Sequence, residues 1–211
     1  MLKIKSFEFS PIQENTYILY NEFNDCLIID PGCYFDDEKD ELLQYIDKMA
    51  LKPRMLLNTH CHLDHVFGNK FVAEKFGLTL HIHENEKPVL AFAPASGLMY
   101  NLPFDNYTGD LIFLKEDEKI KLGDDELDIL LTPGHSPGSL SFYSKKDKFV
   151  LSGDALFYRS IGRTDLPLGN HETLIKSIRE KLFSLPGETK VYSGHGPVTT
   201  IGEEKTENPF F

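Results

Sequence analysis

Thr59-His60-Cys61-His62-Leu63-Asp64-His65 puts three imidazoles and a carboxylate into one short stretch, directly after the apolar run that closes at Leu57. A single His-rich stretch arises by chance, but three more ligand-type residues occupy the same kind of position. His135 lies in Thr132-Pro133-Gly134-His135-Ser136-Pro137-Gly138, Asp154 in Ser152-Gly153-Asp154-Ala155, and His195 in Ser193-Gly194-His195-Gly196-Pro197. Each stands beside Gly or Pro at the end of an apolar run, where a strand hands its last side chain to a site. The seven residues His60, His62, Asp64, His65, His135, Asp154 and His195 are enough for two metal ions. A site of three imidazoles is neutral and suits zinc, with a fourth position left for water. An Asp-containing site is harder and also accepts iron or manganese. Cys61 is expected to point away from the ligands on either side and to pack as a small hydrophobe.

Working outward, the pattern alternates strands and helices twice. Strands are predicted over 2–9 and 15–20, and a buried strand over Cys26–Asp30 ends at Pro31-Gly32. A helix over Asp36–Met49 has Leu42, Tyr45, Ile46 and Met49 on one face and acidic residues in its first turn, as the helix dipole favours. Arg54–Asn58 is a short strand delivering the His60 cluster, followed by a helix from about Asp64 to Phe76 and a strand at Leu78–Ile82. The second half predicts strands near 111–114, 119–122, 126–131, 139–143 and 148–152. A helix near His171–Phe183 follows, capped by Asn170 with Leu174, Ile175, Ile178 and Leu182 buried, and then a last strand at Lys190–Tyr192. Phe92–Asp110 reads as a loop rich in Pro, Gly and aromatics, among its residues Met99, Tyr100 and Phe104, which either walls a pocket or packs as a surface loop. His81 and His83 alternate on one strand with no ligand constellation beside them and read as structural; His171 reads as a first-turn residue.

With 211 residues, 41% of them hydrophobic, the chain can bury a full core and is expected to be one domain over 1–211. Neither a secretory leader nor an apolar stretch of about 18 residues stands out, so a soluble, cytoplasmic protein without a membrane partner is expected. Three cysteines, Cys26, Cys33 and Cys61, form no Cys-x-x-Cys pair and fit a reducing compartment. A net charge of −11 disfavours a nuclease with an extended basic track, so no nucleic-acid partner is expected.

The four clusters together resemble the signature of the metallo-β-lactamase superfamily, His-x-His-x-Asp-His followed by a His, an Asp and a His. The resemblance covers nearly the whole chain and implies an α/β, four-layered αββα sandwich. It also implies a division of the ligands. His60, His62 and His135 would hold one metal, Asp64, His65 and His195 the other, and Asp154 would bridge them. Asp30, at the end of a buried strand, would support the ligand loop through hydrogen bonds, with capping of the turn before Pro31-Gly32 as the alternative.

Within that superfamily, Leu156-Phe157-Tyr158-Arg159-Ser160-Ile161-Gly162-Arg163-Thr164-Asp165 resembles the corresponding stretch of glyoxalase II enzymes, hydroxyacylglutathione hydrolases, especially their short branch with Gly-Arg-Thr-Asp and a final Asn-Pro-Phe, here Asn208-Pro209-Phe210. This implies that Arg163 binds the glutathione part of the substrate; a brace between Arg163 and Asp165 is the alternative. Phe157 of the same stretch and Tyr100 of the 92–110 loop are the other candidate substrate-binding residues. A chain without the carboxy-terminal helical domain of the long enzymes is expected, and Asp165 stands where those enzymes usually carry an aromatic residue. The expected reaction is thioester hydrolysis, of S-lactoylglutathione or a related thiol ester, to a hydroxy acid and a free thiol. Two close cations lower the pKa of a shared water so that hydroxide exists at neutral pH, Asp64 orients it, and the thiolate leaves without a protein acid. The rival within enzymes is an iron-dependent persulfide dioxygenase acting on glutathione persulfide, which would use only His60, His135 and Asp154. A β-lactamase, a metal-dependent ribonuclease, a flavodiiron protein and a non-catalytic binding module are each disfavoured. A monomer or homodimer is expected.

Overall fold

The computed structural model describes residues 1–211. Two six-stranded sheets are stacked with helices outside both. The first runs β1 (Lys3–Phe9), β2 (Glu14–Tyr20), β3 (Asp25–Ile29), β4 (Lys52–Leu57), β5 (Leu80–His83) and β6 (Leu111–Leu114), in that order, antiparallel up to β3 and parallel beyond. The second contains β7 (Lys119–Leu122), β8 (Asp125–Leu131), β9 (Leu140–Ser144), β10 (Phe149–Gly153), β13 (Lys190–Ser193) and β14 (Thr199–Thr200). Its order is β14-β13-β10-β9-β8-β7, with β10 and β13 the parallel pair. A small hairpin of β11 (Leu156–Phe157) and β12 (Ser160–Ile161) leaves the end of β10.

Side chains on a strand alternate between its two faces, and the layering follows from that alternation. Leu19, Leu27, Ile29, Leu57, Phe142, Phe149 and Leu151 point into the shared core between the sheets. Their neighbours Ile18, Ile28 and Leu56 point outward. They meet α1 (Asp36–Lys48), α3 (Asn69–Phe76) and α4 (Lys87–Met99) through Leu42, Ile46, Val72, Leu90 and Ala93. On the second sheet Tyr143, Val150 and Val191 meet Leu174 of α5 (His171–Ser177) and Ile201 of α6 (Ile201–Glu207). The central strands β2, β3, β9 and β10 are therefore buried on both faces, as a covered sheet requires, whereas the outer strands β1 and β7 keep exposed lysines. The result is the expected αββα sandwich.

One helix and one loop expectation are corrected, and a second helix is met with a local change. The helix predicted over Asp64–Phe76 is two, α2 (Leu63–Val66) and α3, because Gly68 between them is pressed onto the Pro31–Cys33 turn. Its N–H donates to Pro31 O at 2.7 Å, and a Cβ there would lie 2.4 Å from Cys33 Sγ. The helix over His171–Phe183 is continuous but widens into a π turn at Ile178–Leu182, where the Phe183 N–H reaches Ile178 O. The supposed loop from Phe92 begins instead inside α4, despite Pro94. Proline lacks the N–H that would bond Leu90 O four residues back. The side-chain amide of Asn106 donates to that carbonyl instead, at 2.8 Å. Sequence reading also passed over α6.

Candidate metal centre

All four ligand clusters emerge at one rim of the sandwich, because each follows the carboxyl end of a strand: β4 for His60–His65, β8 for His135, β10 for Asp154 and β13 for His195. His60 Nε2 and His62 Nδ1 lie 3.2 and 2.8 Å from His135 Nε2. Ligand nitrogens about 2 Å from a tetrahedral zinc are themselves separated by about 3.3 Å, so these three imidazoles already have the spacing of one coordination sphere. A second group brings together Asp64, His65 and His195, with His195 Nε2 at 3.1 Å and His65 Nε2 at 3.8 Å from Asp64 Oδ2. Asp154 touches both groups. Its Oδ1 is 3.3 Å from His65 Nε2, and its Oδ2 is 3.4 Å from His135 Nε2 and 3.6 Å from His195 Nε2.

The outer ring nitrogens fix which nitrogen faces the centre. His135 Nδ1 donates to Arg163 O at 2.7 Å and His195 Nδ1 to Gln13 O at 3.0 Å, leaving Nε2 of each as a lone-pair donor. Gly162 makes the first of these approaches possible: a Cβ there would stand 1.9 Å from Asp154 O and 3.0 Å from the His135 ring.

Asp30 supports the ligand loop. Its Oδ1 accepts from Thr59 N and Asn58 Nδ2 at 2.7 and 3.1 Å, and its Oδ2 from Thr59 Oγ1 at 2.5 Å. It adopts a left-handed backbone, φ 49°, to aim the carboxylate this way. With three donors already on it, the neighbouring grouping of Asp30 with His60 and His65 is a brace and not a further cation site.

Burial, with neighbouring imidazoles added, pushes the pKa of His60 well down and that of His62 to about 3, so both are neutral bases. Burial also opposes charge on His65, yet Asp154, Asp64 and Asp30 hold its pKa well above the ordinary value. Asp154 is buried as well, and His65 holds it far below the usual carboxylate range. The cluster thus demands positive charge. His65 Nδ1 faces Asp30 Oδ2 at 3.1 Å, while its Nε2 and Oδ1 of Asp154, 3.3 Å apart, are buried without a hydrogen bond of good geometry, an arrangement native structures avoid unless another partner is intended. Neutral imidazoles, ionised carboxylates and unpartnered buried atoms together fit divalent metal ions.

Against this geometry the comparisons are decisive. The model of the metallo-beta-lactamase superfamily matches residues 10–195. The chain belongs to that superfamily. Metallo-β-lactamase relatives of nearly equal length include the probable metallo-hydrolase YqgX of Bacillus subtilis, 42% identical over 99% of this chain and 97% of its own. The hydroxyacylglutathione hydrolase GloC of Haemophilus influenzae is 37% identical, covering 99% and 98%. Among solved structures, the BLEG-1 B3 metallo-beta-lactamase superposes with a TM-score of 0.90 at 38% identity, covering 99% of each chain. TTHA1623, in a di-iron-bound form, superposes at 0.89 and 35%, covering 98% and 100%. ETHE1 from Myxococcus xanthus gives 0.80 at 28%, covering 98% of this chain and 83% of its own.

A cavity of about 440 Å³ opens over the candidate metal ligands, and Arg163, Tyr100 and Phe157 stand in its wall with His62, His135 and Asp154. Tyr100 is there because it caps α4, which also brings Ser96 into the wall. Phe157 packs edge-on to the His195 ring, centroids 6.0 Å apart. The Arg163 guanidinium is engaged by both carboxylate oxygens of Asp165, each at 2.7 Å, so the bracing contact exists while the residue still borders the cleft. His81 and His83 play local parts. His81 Nδ1 sits near the carbonyls of Leu56 and Thr79, and His83 Nδ1 accepts from Asn85 N. No helix is long and apolar enough to cross a membrane.

Two carboxylates escaped the sequence reading. Glu86 is fully buried and joins the two loops of the three-imidazole group: Oε2 accepts from Cys61 N at 2.8 Å, and Oε1 from Ser136 Oγ and Gly138 N at 2.6 and 2.7 Å. Glu14, equally buried, lies 3.8 Å from His65 Nδ1, and burial raises its pKa strongly. Glu14 offered no signal, standing among the polar residues Gln13, Asn15 and Thr16 at the start of β2. Glu86 offered none, lying in the charged run Glu84-Asn85-Glu86-Lys87.

Proposed function

We propose that this metallo-hydrolase is a thioesterase of glyoxalase II type, cleaving S-lactoylglutathione or a related thiol ester to a hydroxy acid and a free thiol. The observation that carries the reading is the cleft itself. Its floor is two ligand groups sharing Asp154, its wall includes Arg163, and it holds no serine or cysteine hydrogen-bonded to a free base. Hydrolysis without a protein nucleophile needs an activated water. His60, His62 and His135 would hold one divalent ion and Asp64, His65 and His195 a second, bridged by Asp154. Zinc is the first expectation, with iron or manganese at the second position. Ions held there would acidify water and polarise the acyl carbonyl.

The chain's own contribution is orientation. Asp64 is buried, and His65 keeps its carboxylate ionised, so Oδ2 can accept a hydrogen bond from the attacking water and hold it in line with the carbonyl. Arg163 and Tyr100 would bind the carrier of the thiol, and Phe157 would close the cleft on the His195 side. A thiolate is stable enough to leave without a protein acid. The GloC relative supports the thioester substrate.

A persulfide dioxygenase is the second reading. It is favoured by the approach of His60 Nε2 and Asp154 Oδ2 to His135 Nε2, at 3.2 and 3.4 Å, since these are the three residues such an enzyme would use. Metal content per chain, S-lactoylglutathione hydrolysis, oxygen uptake with glutathione persulfide and β-lactam turnover, measured on one preparation, separate these activities. Thioester hydrolysis lost with chelation, and reduced by several orders of magnitude in His135→Ala, is expected. A loss below about tenfold removes this site as the catalytic centre.

A further inference from the structure

A second cavity, of about 100 Å³, opens beside the cleft between α4 and the Leu166-Pro167-Leu168 turn. His62, Leu63, Ser96 and Leu166 line both, so the two spaces meet at the His62 imidazole. Beyond that junction the wall is Val89, Phe92 and Ala93 from α4 and Pro167 and Leu168 from the turn, with no charged side chain anywhere in it. That is unusual on a chain of which 26% is charged. Phe92 and Leu168 are moreover 49% and 60% exposed, large apolar groups held in water at the mouth of a hole. Such exposure is a cost that an apolar occupant relieves.

Arg163 and Tyr100 border the main cleft and not the side cavity. A polar thiol carrier is therefore matched to the cleft, and the other end of the thioester is left for the cavity. We propose that the side cavity is the acyl pocket of the thioesterase, and that the preferred acyl group is an unsubstituted or branched hydrocarbon rather than a hydroxyacyl group. This rests on the thioesterase reading and revises its acyl group: the product of the preferred substrate would be a plain carboxylic acid and a free thiol, with S-lactoylglutathione a poorer substrate of the same site. A dry cavity of roughly 150 Å³ accepts a six-carbon ring, so 100 Å³ takes about four carbons. Of the lining side chains only Ser96, Cys61 and His62 are polar, and His62 Nδ1 is turned to His135 Nε2 at 2.8 Å, so a lactoyl hydroxyl placed there would find few partners, whereas methyl and methylene groups meet matching apolar walls.

The test is a series of S-acyl glutathiones, acetyl, D-lactoyl, butyryl, isovaleryl and octanoyl, on the metal-loaded enzyme, with a parallel series of acetyl esters of different thiols. Burying one methylene is worth about fourfold in kcat/KM. The expected result is a rise on the order of 50-fold from acetyl to isovaleryl, no further gain at octanoyl, and lactoyl below butyryl. Ala93→Phe, which fills the cavity, should flatten the series by lowering isovaleryl relative to acetyl. Phe92→Ala, at a half-exposed position that folding tolerates, should reduce the gain per methylene by opening one wall. Metal content and circular dichroism of both variants establish that they are folded. Thioester hydrolysis with a flat acyl series, or a preference that follows the thiol instead of the acyl group, overturns the acyl pocket while leaving the thioesterase reading intact. If no thioester is cleaved, both fall together.

Discussion

Glu86 offers the sharpest test of how the fold holds the three-imidazole group in place. Its carboxylate accepts hydrogen bonds from both ligand loops, one from the His60–His62 stretch and two from the residues just after His135. In Glu86→Gln the amide oxygen can keep the bonds from Ser136 and Gly138, but the NH2 then faces the Cys61 N–H across a 2.8 Å gap, donor against donor. One bond to a charged group is lost, about 1.5–3 kcal/mol, partly offset because a neutral amide is easier to bury. A net loss of about 2 kcal/mol is expected, or about 4–8 °C in Tm for a chain of this size. Glu86→Ala strands all three donors, about 1–3 kcal/mol each, which approaches the whole stability of a domain. Urea unfolding of the metal-free variants isolates the fold, and chelator competition then reads metal affinity, expected to fall about 10- to 100-fold in Glu86→Gln. Burial raises the Glu86 pKa in the folded chain above its ordinary 4.5. The folded state thus holds the proton more tightly, and this contribution to stability is present in acid and lost as pH rises from about 4.5 through the raised value. Glu86→Gln removes that fall, so the wild-type advantage should shrink over the same interval. A Glu86→Gln stability within about 0.5 kcal/mol of wild type, or an Ala variant no worse than Gln, would refute the bridging role.

Gly194→Ala would place a Cβ 2.1 Å from Asp154 Oδ1 and 2.7 Å from His65 Cε1. Loss of one metal per chain is expected, with the three-imidazole group keeping its own; two metals held at wild-type affinity would mean that Asp154 does not bridge. Arg163→Ala should lower kcat/KM about 10- to 150-fold for a glutathione thioester and leave a thioester of a small neutral thiol unchanged. Equal losses on both make Arg163 a structural brace. Asp165→Ala, which frees the guanidinium from its two bonds, should raise kcat/KM for the glutathione ester; an unchanged value argues against carrier recognition by Arg163.

The strands and the ligand clusters were legible from the chain alone because both are local facts. An apolar run followed by Gly or Pro and a ligand-type residue says where a strand stops and what it carries, and alternate residues such as Ile28 and Leu27 divide between two layers whatever those layers turn out to be. What tertiary structure decided are properties of residues far apart in sequence. Pro94 and Gly97 read as helix breakers, yet α4 continues because Asn106 satisfies Leu90 O and because the chain returns close over Gly97 to Leu102. Gly68 ends α2 only because the Pro31–Cys33 turn presses on it. Glu86 reads as one more surface charge until the fold wraps Cys61, Ser136 and Gly138 around it, and the apolar side cavity exists only where α4 meets Leu166-Pro167-Leu168. The order of side chains along the chain set strand identity and ligand type, since those depend on neighbours a few residues away. Burial, hydrogen-bond partners and cavity shape depend on which distant segments the packed core brings into contact, and these only the tertiary structure could fix.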